Sequence, residues 1–360
     1  MKMKTTIYAL AAASLMGAAA NAQSTATPPV GFHTLQVLGA DANGSRYSLV
    51  CAGLINPIDV ASAAESITDS ALTATGAFAG QSYGENPGGA TEPAYIAYYV
   101  EITDGAEAGA WANITASDDD TLTLDRDLSA AGGTAKFAIR KHVTIGDLFG
   151  YANEAGLDPG DQAASADEVS LFSNGLSQVF FYDDTAGFEG WIDAAFNERQ
   201  NTPIEPQQAV YVQRKVAGNV SFTRAGHVKT GPTKLDINAG YNALANPRAV
   251  GSDDNDAPVF TLGTSGLFNA ADTVNSVDPG DSPAVADEII VNEYDANTDI
   301  VSFFVYFYDD TVDFEGWINA AFEVKDDVVL DNGKGFLLNR KANLTGTPFV
   351  WTVPAEVIAD

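Results

Sequence analysis

Apolar side chains in this chain recur mostly at every second position, which is the period of a β-strand. In residues 301–308 aromatic and β-branched side chains fill nearly every position, as expected of a strand buried on both faces. Residues 309–311, Asp-Asp-Thr, then predict a turn, and residues 314–318 predict the returning strand of a hairpin. Only residues 145–153 and 193–196 predict short helices. The pattern therefore predicts an all-β protein.

A long internal repeat organises the chain. Residues 180–196 (FFYDDTAGFEGWIDAAF) and 306–322 (YFYDDTVDFEGWINAAF) are identical at thirteen of seventeen positions. Shorter motifs recur around both copies in the same order. They are Asp-Pro-Gly-Asp at 158–161 and 278–281, Ala-Asp-Glu at 166–168 and 286–288, and Arg-Lys at 214–215 and 340–341. Most of the chain is therefore predicted to be one structural unit made twice.

One interval breaks this correspondence, because the first copy contains about 70 additional residues. They include short alternating segments separated by polar turns, which predict a small β-barrel or meander. We therefore expect an all-β fold of two tandem β-sandwich-like repeats, with this module inserted in the first. The predicted boundaries are 1–22 for a signal peptide, 23–45 for an N-terminal arm, 46–64 and 141–230 for the discontinuous first repeat, 65–140 for the inserted module, and 231–360 for the second repeat.

The net charge indicates which partners are excluded, and the first 22 residues indicate where the protein is located. The chain contains 48 Asp and Glu but only 18 Lys and Arg, a formal net charge of −30. This charge repels nucleic acid, which proteins bind through basic side chains, so no nucleic-acid partner is expected. Residues 1–22 combine two lysines, a short apolar run and small residues before a cleavage point, as secretory signals do, and the run is too short for membrane insertion. We expect a secreted or cell-surface protein, with the periplasm left open.

Cys51 is the only cysteine, so the chain can form no internal disulfide. It lies in the apolar run Tyr-Ser-Leu-Val-Cys-Ala at residues 47–52, which favours a small buried side chain over an intermolecular disulfide. Stability is therefore expected to come from packing, from bound ions or from assembly.

A strand-like run precedes the first repeat at residues 30–38. Its alternation places Val30, Phe32, Leu35 and Val37 as candidate residues of an assembly strand. This run resembles the segment before the second repeat, which begins at Val220. An N-terminal strand of this kind pairs within its own chain or adds to the sheet edge of a neighbouring copy, and the second choice would build polymers.

The order of motifs resembles an uncharacterised family of secreted bacterial repeat proteins. Its members share a YYVEIT block followed by Trp and TLTL, an Ala-Asp-Glu block, an aromatic YFYD hairpin with Trp, and a strand that ends in Arg-Lys. Here these are residues 98–103 with Trp111 and 121–124, then 166–168 with 286–288, then 182–191 with 308–317, and 211–215 with 335–341. The resemblance implies no activity or catalytic residue. This chain departs from it in having Gln207-Gln208-Ala209 where the second copy has glycine before the strand.

No catalytic set stands out. His33, His142 and His227 are far apart in sequence and lack the close spacing of metal ligands. The recurring pairs Asp183/Asp184 and Asp309/Asp310 could serve glycoside hydrolysis, but an Asp-Asp-Thr sequence between aromatic strands is typical of a turn.

Calcium is the one cofactor that the acidic residues suggest, because hard cations bind clustered oxygens on loops. The candidate ligands are Asp253, Asp254 and Asp256, together with Asp118 and Asp120. None of these segments completes a twelve-residue calcium loop, so solvated turns are the alternative.

The sequence thus supports three functional hypotheses. The first is a secreted, non-enzymatic structural protein, such as a cell-surface, matrix or filament subunit, with self-association as its partner interaction. The second is an extracellular polysaccharide-binding protein that stacks sugars on exposed aromatic rings such as Trp191 and Trp317, although equivalent core positions would explain both tryptophans. The third, with the least support, is a carboxylate-dependent hydrolase.

Overall fold

The computed structural model describes residues 29–173, 176–246, 260–295, 298–311, 315–331, 333–341 and 346–353. Regular structure in these ranges is almost entirely strand, which confirms the all-β fold class. In chain order the strands are β1 Val30–Val37, β2 Arg46–Cys51, β3 Ile58–Ala63, β4 Ser66–Ile67, β5 Ala71–Thr73, β6 Tyr98–Ile102, β7 Trp111–Ser117, β8 Thr121–Leu124, β9 Lys136–Lys141, β10 Val143–Thr144, β11 Glu168–Ser173, β12 Leu176–Asp183, β13 Gly190–Asp193, β14 Pro203–Ile204, β15 Ala209–Arg214, β16 Val220–His227, β17 Thr233–Ile237, β18 Gly240–Ala245, β19 Glu288–Asp295, β20 Ile300–Asp309, β21 Gly316–Asn319, β22 Gly335–Arg340 and β23 Phe349–Val353. The one α-helix described is α1, Ile145–Phe149, and Ser129–Ala131 form a 3-10 turn.

Two five-stranded antiparallel sheets have the same connectivity. Their strand orders are β13-β12-β11-β15-β2 and β21-β20-β19-β22-β18. In each, the hairpin of the repeated aromatic segment lies at one edge, and the strand that follows Ala-Asp-Glu comes next. The next strand, β15 or β22, ends at the arginine of the Arg-Lys motif, Arg214 or Arg340. It pairs with β2 or β18, which forms the other edge. The matching motifs therefore occupy matching strands.

A two-stranded antiparallel ribbon packs against each sheet. β1 pairs with β16 in the first ribbon, and β17 pairs with β23 in the second. The inner face of the first ribbon buries Leu35 and Val37 with residues of its sheet, and the second ribbon buries Ile237 and Trp351 in the same way. Each core is thus enclosed between a sheet and a ribbon, with alternating side chains directed inward.

A third sheet is formed by residues 58–141. Its seven strands have the order β3-β9-β6-β7-β8-β5-β4. β6, β7 and β8 coincide with the alternating segments identified in the sequence, and β3 begins at Ile58, before the predicted start of the insertion. Phe78, Ile114 and Phe137 are buried in its own apolar core. We call this part of the chain the seven-stranded module.

Both helices expected from the sequence are shorter or absent in the structure. α1 is a single turn in which Thr144 and Asp147 form a capping box, and Gly150, with φ of 90°, follows its end. At residues 193–196 the structure has the end of β13 followed by a turn at residues 194 and 195, and no helix. The carboxylate of Asp193 accepts hydrogen bonds from the amides of Ala195 and Asn197 at 2.9 and 3.0 Å, and this local acceptor favours a turn over a helix.

The two five-stranded sheets meet through reciprocal contacts. Gln208, just before β15, forms an antiparallel bridge with Leu244 of β18, and Lys334, just before β22, forms one with Val50 of β2. Each contact made by one sheet therefore has a counterpart made by the other, as in an interface with two-fold symmetry. Small apolar side chains fill the space between them. They are Leu49, Cys51, Ala209, Ala243 and Ala245.

Candidate functional site

The repeated Asp-Asp pairs end strands and shape turns. Asp183 Oδ1 accepts a hydrogen bond from the amide of Thr185 at 2.7 Å, and Asp309 Oδ1 accepts one from the amide of Thr311 at 2.8 Å. Both aspartates are buried. An aspartate that accepts a hydrogen bond from the amide two residues later stabilises a turn, so the geometry favours a structural role for these aspartates over a catalytic one.

We call each five-stranded sheet together with its ribbon a unit, the first with β1–β16 and the second with β17–β23. The other repeated motifs meet at a buried ion pair in each unit. Arg214 Nη1 lies 2.6 Å from Asp167 Oδ2, and Arg340 forms the same contact with Asp287. Both aspartates also accept a hydrogen bond from the amide of the lysine after the arginine, at 2.7 and 2.8 Å. The Ala-Asp-Glu and Arg-Lys motifs therefore join neighbouring parts of one unit, and these charges are already satisfied.

The candidate calcium ligands do not converge in the part of the chain that the structure describes. Asp118 Oδ1 accepts hydrogen bonds from the amides of Asp120 and Thr121, and Asp120 Oδ1 accepts one from the amide of Gly76. Asp253, Asp254 and Asp256 lie outside the described residues. Within the described ranges, no group of three or more His, Cys, Asp or Glu side chains is arranged to hold a metal ion.

The predicted sugar-stacking tryptophans are core residues. Trp191 is 0% exposed and Trp317 is 2% exposed, and each ring makes an edge contact with a tyrosine of the preceding strand at a centroid distance of 5.6 Å. The alternative in which these two rings form an exposed sugar-stacking face is wrong, and that of equivalent core positions is confirmed, because β13 and β21 direct both rings into the space between sheet and ribbon. Trp111 and Trp351 are buried as well.

The outer face of the β1–β16 ribbon is exposed and uncharged. Of the candidate assembly residues, Leu35 and Val37 face the core, whereas Val30 and Phe32 are exposed. Phe32, at 79%, is the most exposed large apolar side chain in the described residues. The outer face also includes Thr34, Gln36, Ser221, Thr223 and Ala225, none of which carries a charge, and it ends at the half-buried His227 opposite Val30. A wide uncharged surface is unusual in a chain with a formal net charge of −30.

The corresponding face of the second ribbon is partly covered by the seven-stranded module, although Asp236 and Thr352 are still exposed. Lys234 of β17 pairs with Glu107 at 2.7 Å, and Asp236 of the same strand pairs with Arg126 at 2.6 Å. The amide of Lys234 also donates to the carbonyl of Gly109 at 3.1 Å. The two ribbons have equivalent positions in their units, but only the second has a described partner on its outer side.

A cleft lies where the first unit, the second unit and the seven-stranded module meet. Its volume is about 120 Å³. Trp111 and Arg126 come from the module, Glu205 and Gln207 from the segment before β15, and Tyr241 from β18. Arg126 stacks on the Trp111 ring, 3.8 Å from its centroid, and Glu205 Oε2 lies 3.7 Å from Arg126. We call this the junction cleft.

Burial changes the protonation of groups around the junction cleft. It raises the pKa of the Glu205 carboxyl, an effect that the nearby Arg126 guanidinium opposes. The ring centroid of His142 lies 6.2 Å from that of Trp111; burial lowers the pKa of His142 to about 3, and its Nε2 lies 2.7 Å from Asn113 Oδ1. Trp111 Nε1 is buried and has no hydrogen-bond acceptor within the described part of the chain.

Sequence reasoning missed the central residue of this cleft. Gln207 has a left-handed backbone with φ of 60°, and its carbonyl accepts a hydrogen bond from the amide of Ala245 at 2.9 Å. Gly333, two residues before β22, occupies the equivalent position with φ of 83°. The sequence did contain the signal, since it has Gln207-Gln208-Ala209 where the second copy has glycine, but the pattern of residues does not reveal a backbone angle.

No protein-family model, curated protein or solved structure matches this chain. The resemblance to secreted bacterial repeat proteins therefore stays a prediction. Among the described residues, no helix has the length and apolar character needed to cross a membrane.

Proposed function

We propose that this protein is a secreted, non-enzymatic structural subunit that self-associates through the outer face of the β1–β16 ribbon. The observation that carries the proposal is the exposed, uncharged character of that face. The partner would be a second copy of the same chain, and the product would be a cell-surface, matrix or filament assembly.

Charge favours this face as the contact between copies. A chain with a formal net charge of −30 repels its own copies over most of its surface. Repulsion is weakest where no charge is present, and the exposed Phe32 and Val30 supply apolar area that a contact would remove from water. Apart from one antiparallel bridge between His227 and Ile55, each strand of the ribbon pairs on one side only within the described residues, which leaves an edge for another strand.

The second ribbon provides an internal precedent. Its outer face is partly covered by the seven-stranded module through the Lys234–Glu107 and Arg126–Asp236 contacts. A ribbon of this architecture can therefore serve as a docking surface on its outer side. The first ribbon has no such cover among the described residues, so a neighbouring copy is the occupant that we propose.

The test is the oligomeric state of the full mature chain, measured by light scattering over a range of concentrations and by negative-stain electron microscopy. We expect the wild type to form larger species as concentration rises and Phe32→Glu to remain monomeric, because the new charge would have to be buried in the contact. Phe188→Glu is the matched control, since Phe188 is 64% exposed but lies outside the ribbon.

A wild type that stays monomeric at all concentrations, with and without calcium, would overturn the proposal. An assembly that Phe32→Glu and Phe188→Glu disrupt equally would also contradict it, because the ribbon would then have no special role. Repeating the measurement with a chelator tests separately whether the acidic turns contribute a calcium requirement.

A further inference from the structure

The backbone at Gln207 identifies a position where a side chain is kept despite its conformational cost. Left-handed φ values are adopted freely by glycine and unfavourably by other residues. At the equivalent position of the second unit the chain has Gly333, with φ of 83°, and both residues use their carbonyl to accept a hydrogen bond from the last residue of the facing strand. Glycine would therefore satisfy the backbone at 207. The side chain present there calls for a separate explanation.

That side chain lines the junction cleft beside groups suited to polar recognition. The carboxylates of Glu205 and Asp236 are acceptors, the Arg126 guanidinium is a donor, and the amide of Gln207 is both. The cleft thus offers more hydrogen-bonding capacity than the chain uses.

The ligand class follows from charge, size and shape. Arg126 is already paired with Asp236 at 2.6 Å, so the cleft has no unmatched positive charge for an anion. A volume of about 120 Å³ corresponds to roughly four water molecules, which is room for part of one sugar ring. The exposed ring of Tyr241 at the rim supplies a flat apolar face, and aromatic rings pack on the apolar faces of sugars.

We propose that the junction cleft binds one uncharged sugar residue of an oligosaccharide, with Gln207 as a hydrogen-bonding residue and Tyr241 as a stacking residue. The sugar hydroxyls would bond to the Gln207 amide and to the carboxylates of Glu205 and Asp236. The remainder of the glycan would extend into solvent. This site is separate from the ribbon face and does not depend on self-association.

Gln207→Gly is the central variant of the test. It introduces the residue found at the equivalent position, so we expect the backbone to be retained and the melting temperature to be unchanged or higher. The probes are cellotriose, maltotriose and N,N′-diacetylchitobiose, with a digalacturonate as the charged comparison. Saturation-transfer NMR detects binding, and calorimetric titration gives the dissociation constant.

We expect at least one uncharged probe to bind the wild type and its affinity to fall about tenfold or more in Gln207→Gly and in Tyr241→Ala. Tyr47→Ala is the matched control, because Tyr47 is the exposed tyrosine at the equivalent position of β2 and lies outside the cleft. Absence of binding by every uncharged probe would overturn the proposal. Wild-type affinity in a folded Gln207→Gly, or preference for digalacturonate, would overturn it as well.

Discussion

The burial of His142 makes the stability of the protein depend on pH. Its ring lies 4.8 Å from that of Tyr99 and is inaccessible to solvent. Because burial lowers its pKa from 6.5 to about 3, the unfolded chain binds a proton at this residue between those values and the native chain does not. Its contribution to stability is therefore complete above pH 6.5 and decreases as the pH falls toward 3.

We expect acid to destabilise the wild type more than His142→Gln, which can still donate a hydrogen bond to Asn113. Two pH units below 6.5, the difference should reach about 2.7 kcal/mol in the free energy of unfolding. Urea denaturation between pH 7 and 4.5 measures it. Parallel pH profiles for the two proteins would show that His142 is already protonated in the native state.

Cys51 should be chemically inert in the folded protein. The thiol is buried, and burial raises its pKa to about 11. Since the thiolate is the reactive form, we expect alkylation by iodoacetamide at pH 8 to be about a hundredfold slower in the native protein than in 6 M guanidinium. Mass spectrometry of timed samples measures the two rates. Comparable rates would reveal a reactive thiol and would revive the intermolecular disulfide as an alternative.

At the scale of elements, the duplicated ion pairs explain why the short motifs recur. Asp287 and Arg340 are far apart in sequence but buried together, so removing one partner leaves the other charge unpaired in the core. We expect Arg340→Ala to lower the free energy of unfolding by about 3–5 kcal/mol.

Lys334→Ala is the surface comparison for Arg340→Ala. Lys334 pairs with Asp331 at 2.7 Å, but its side chain is exposed, and the expected loss is below about 1 kcal/mol. Equal losses in the two variants, measured by chemical denaturation, would mean that the buried pair contributes no more than a solvated one.

The sequence predicted the elements whose signal is local. Strict alternation located β6, β7 and β8, and the Asp-Asp-Thr turns located the hairpins around Asp183 and Asp309. Helix lengths were overestimated because Gly150, with φ of 90°, ends α1 after one turn, and because the Asp193 side chain replaces a helix with a local turn. The direction of Trp191 was undecided in the sequence, since alternation identifies two faces of a strand but does not say which one meets the ribbon.

The candidate sites were harder to predict than the strands, because they depend on contacts between distant segments. The junction cleft is lined by residues from all three large sheets and from the second ribbon. The pattern of residues does not show that the backbone of Gln207 is left-handed. The assembly strand was recognised as a strand, but its two exposed residues, Val30 and Phe32, could be separated from Leu35 and Val37 only once its pairing with β16 was known.

At the scale of the molecule, the reciprocal interface requires close approach of two backbones. A Cβ atom added at Gly335 would meet the Cβ of Ala209 and lie 2.6 Å from Cγ of Leu49. We therefore expect Gly335→Ala to destabilise the protein by about 1–3 kcal/mol through overpacking.

The double variant Gly335→Ala with Ala209→Gly should recover part of this loss, because it removes one of the two obstructing groups. The coupling energy from the four proteins, measured by denaturation, tests whether the two sheets are in contact. Strictly additive effects would argue against the interface.

The pairing of β1 with β16 also means that the first ribbon cannot form until long after β1 has been synthesised. Thr34 and Thr223, whose hydroxyl oxygens lie 3.1 Å apart, are separated by 189 residues, and the whole seven-stranded module lies between them. At common rates of synthesis, a ribosome needs roughly 10–40 s to make that stretch. During this interval the apolar side of β1 has no partner, so premature pairing of β1 with another nascent copy is a misfolding hazard of this topology.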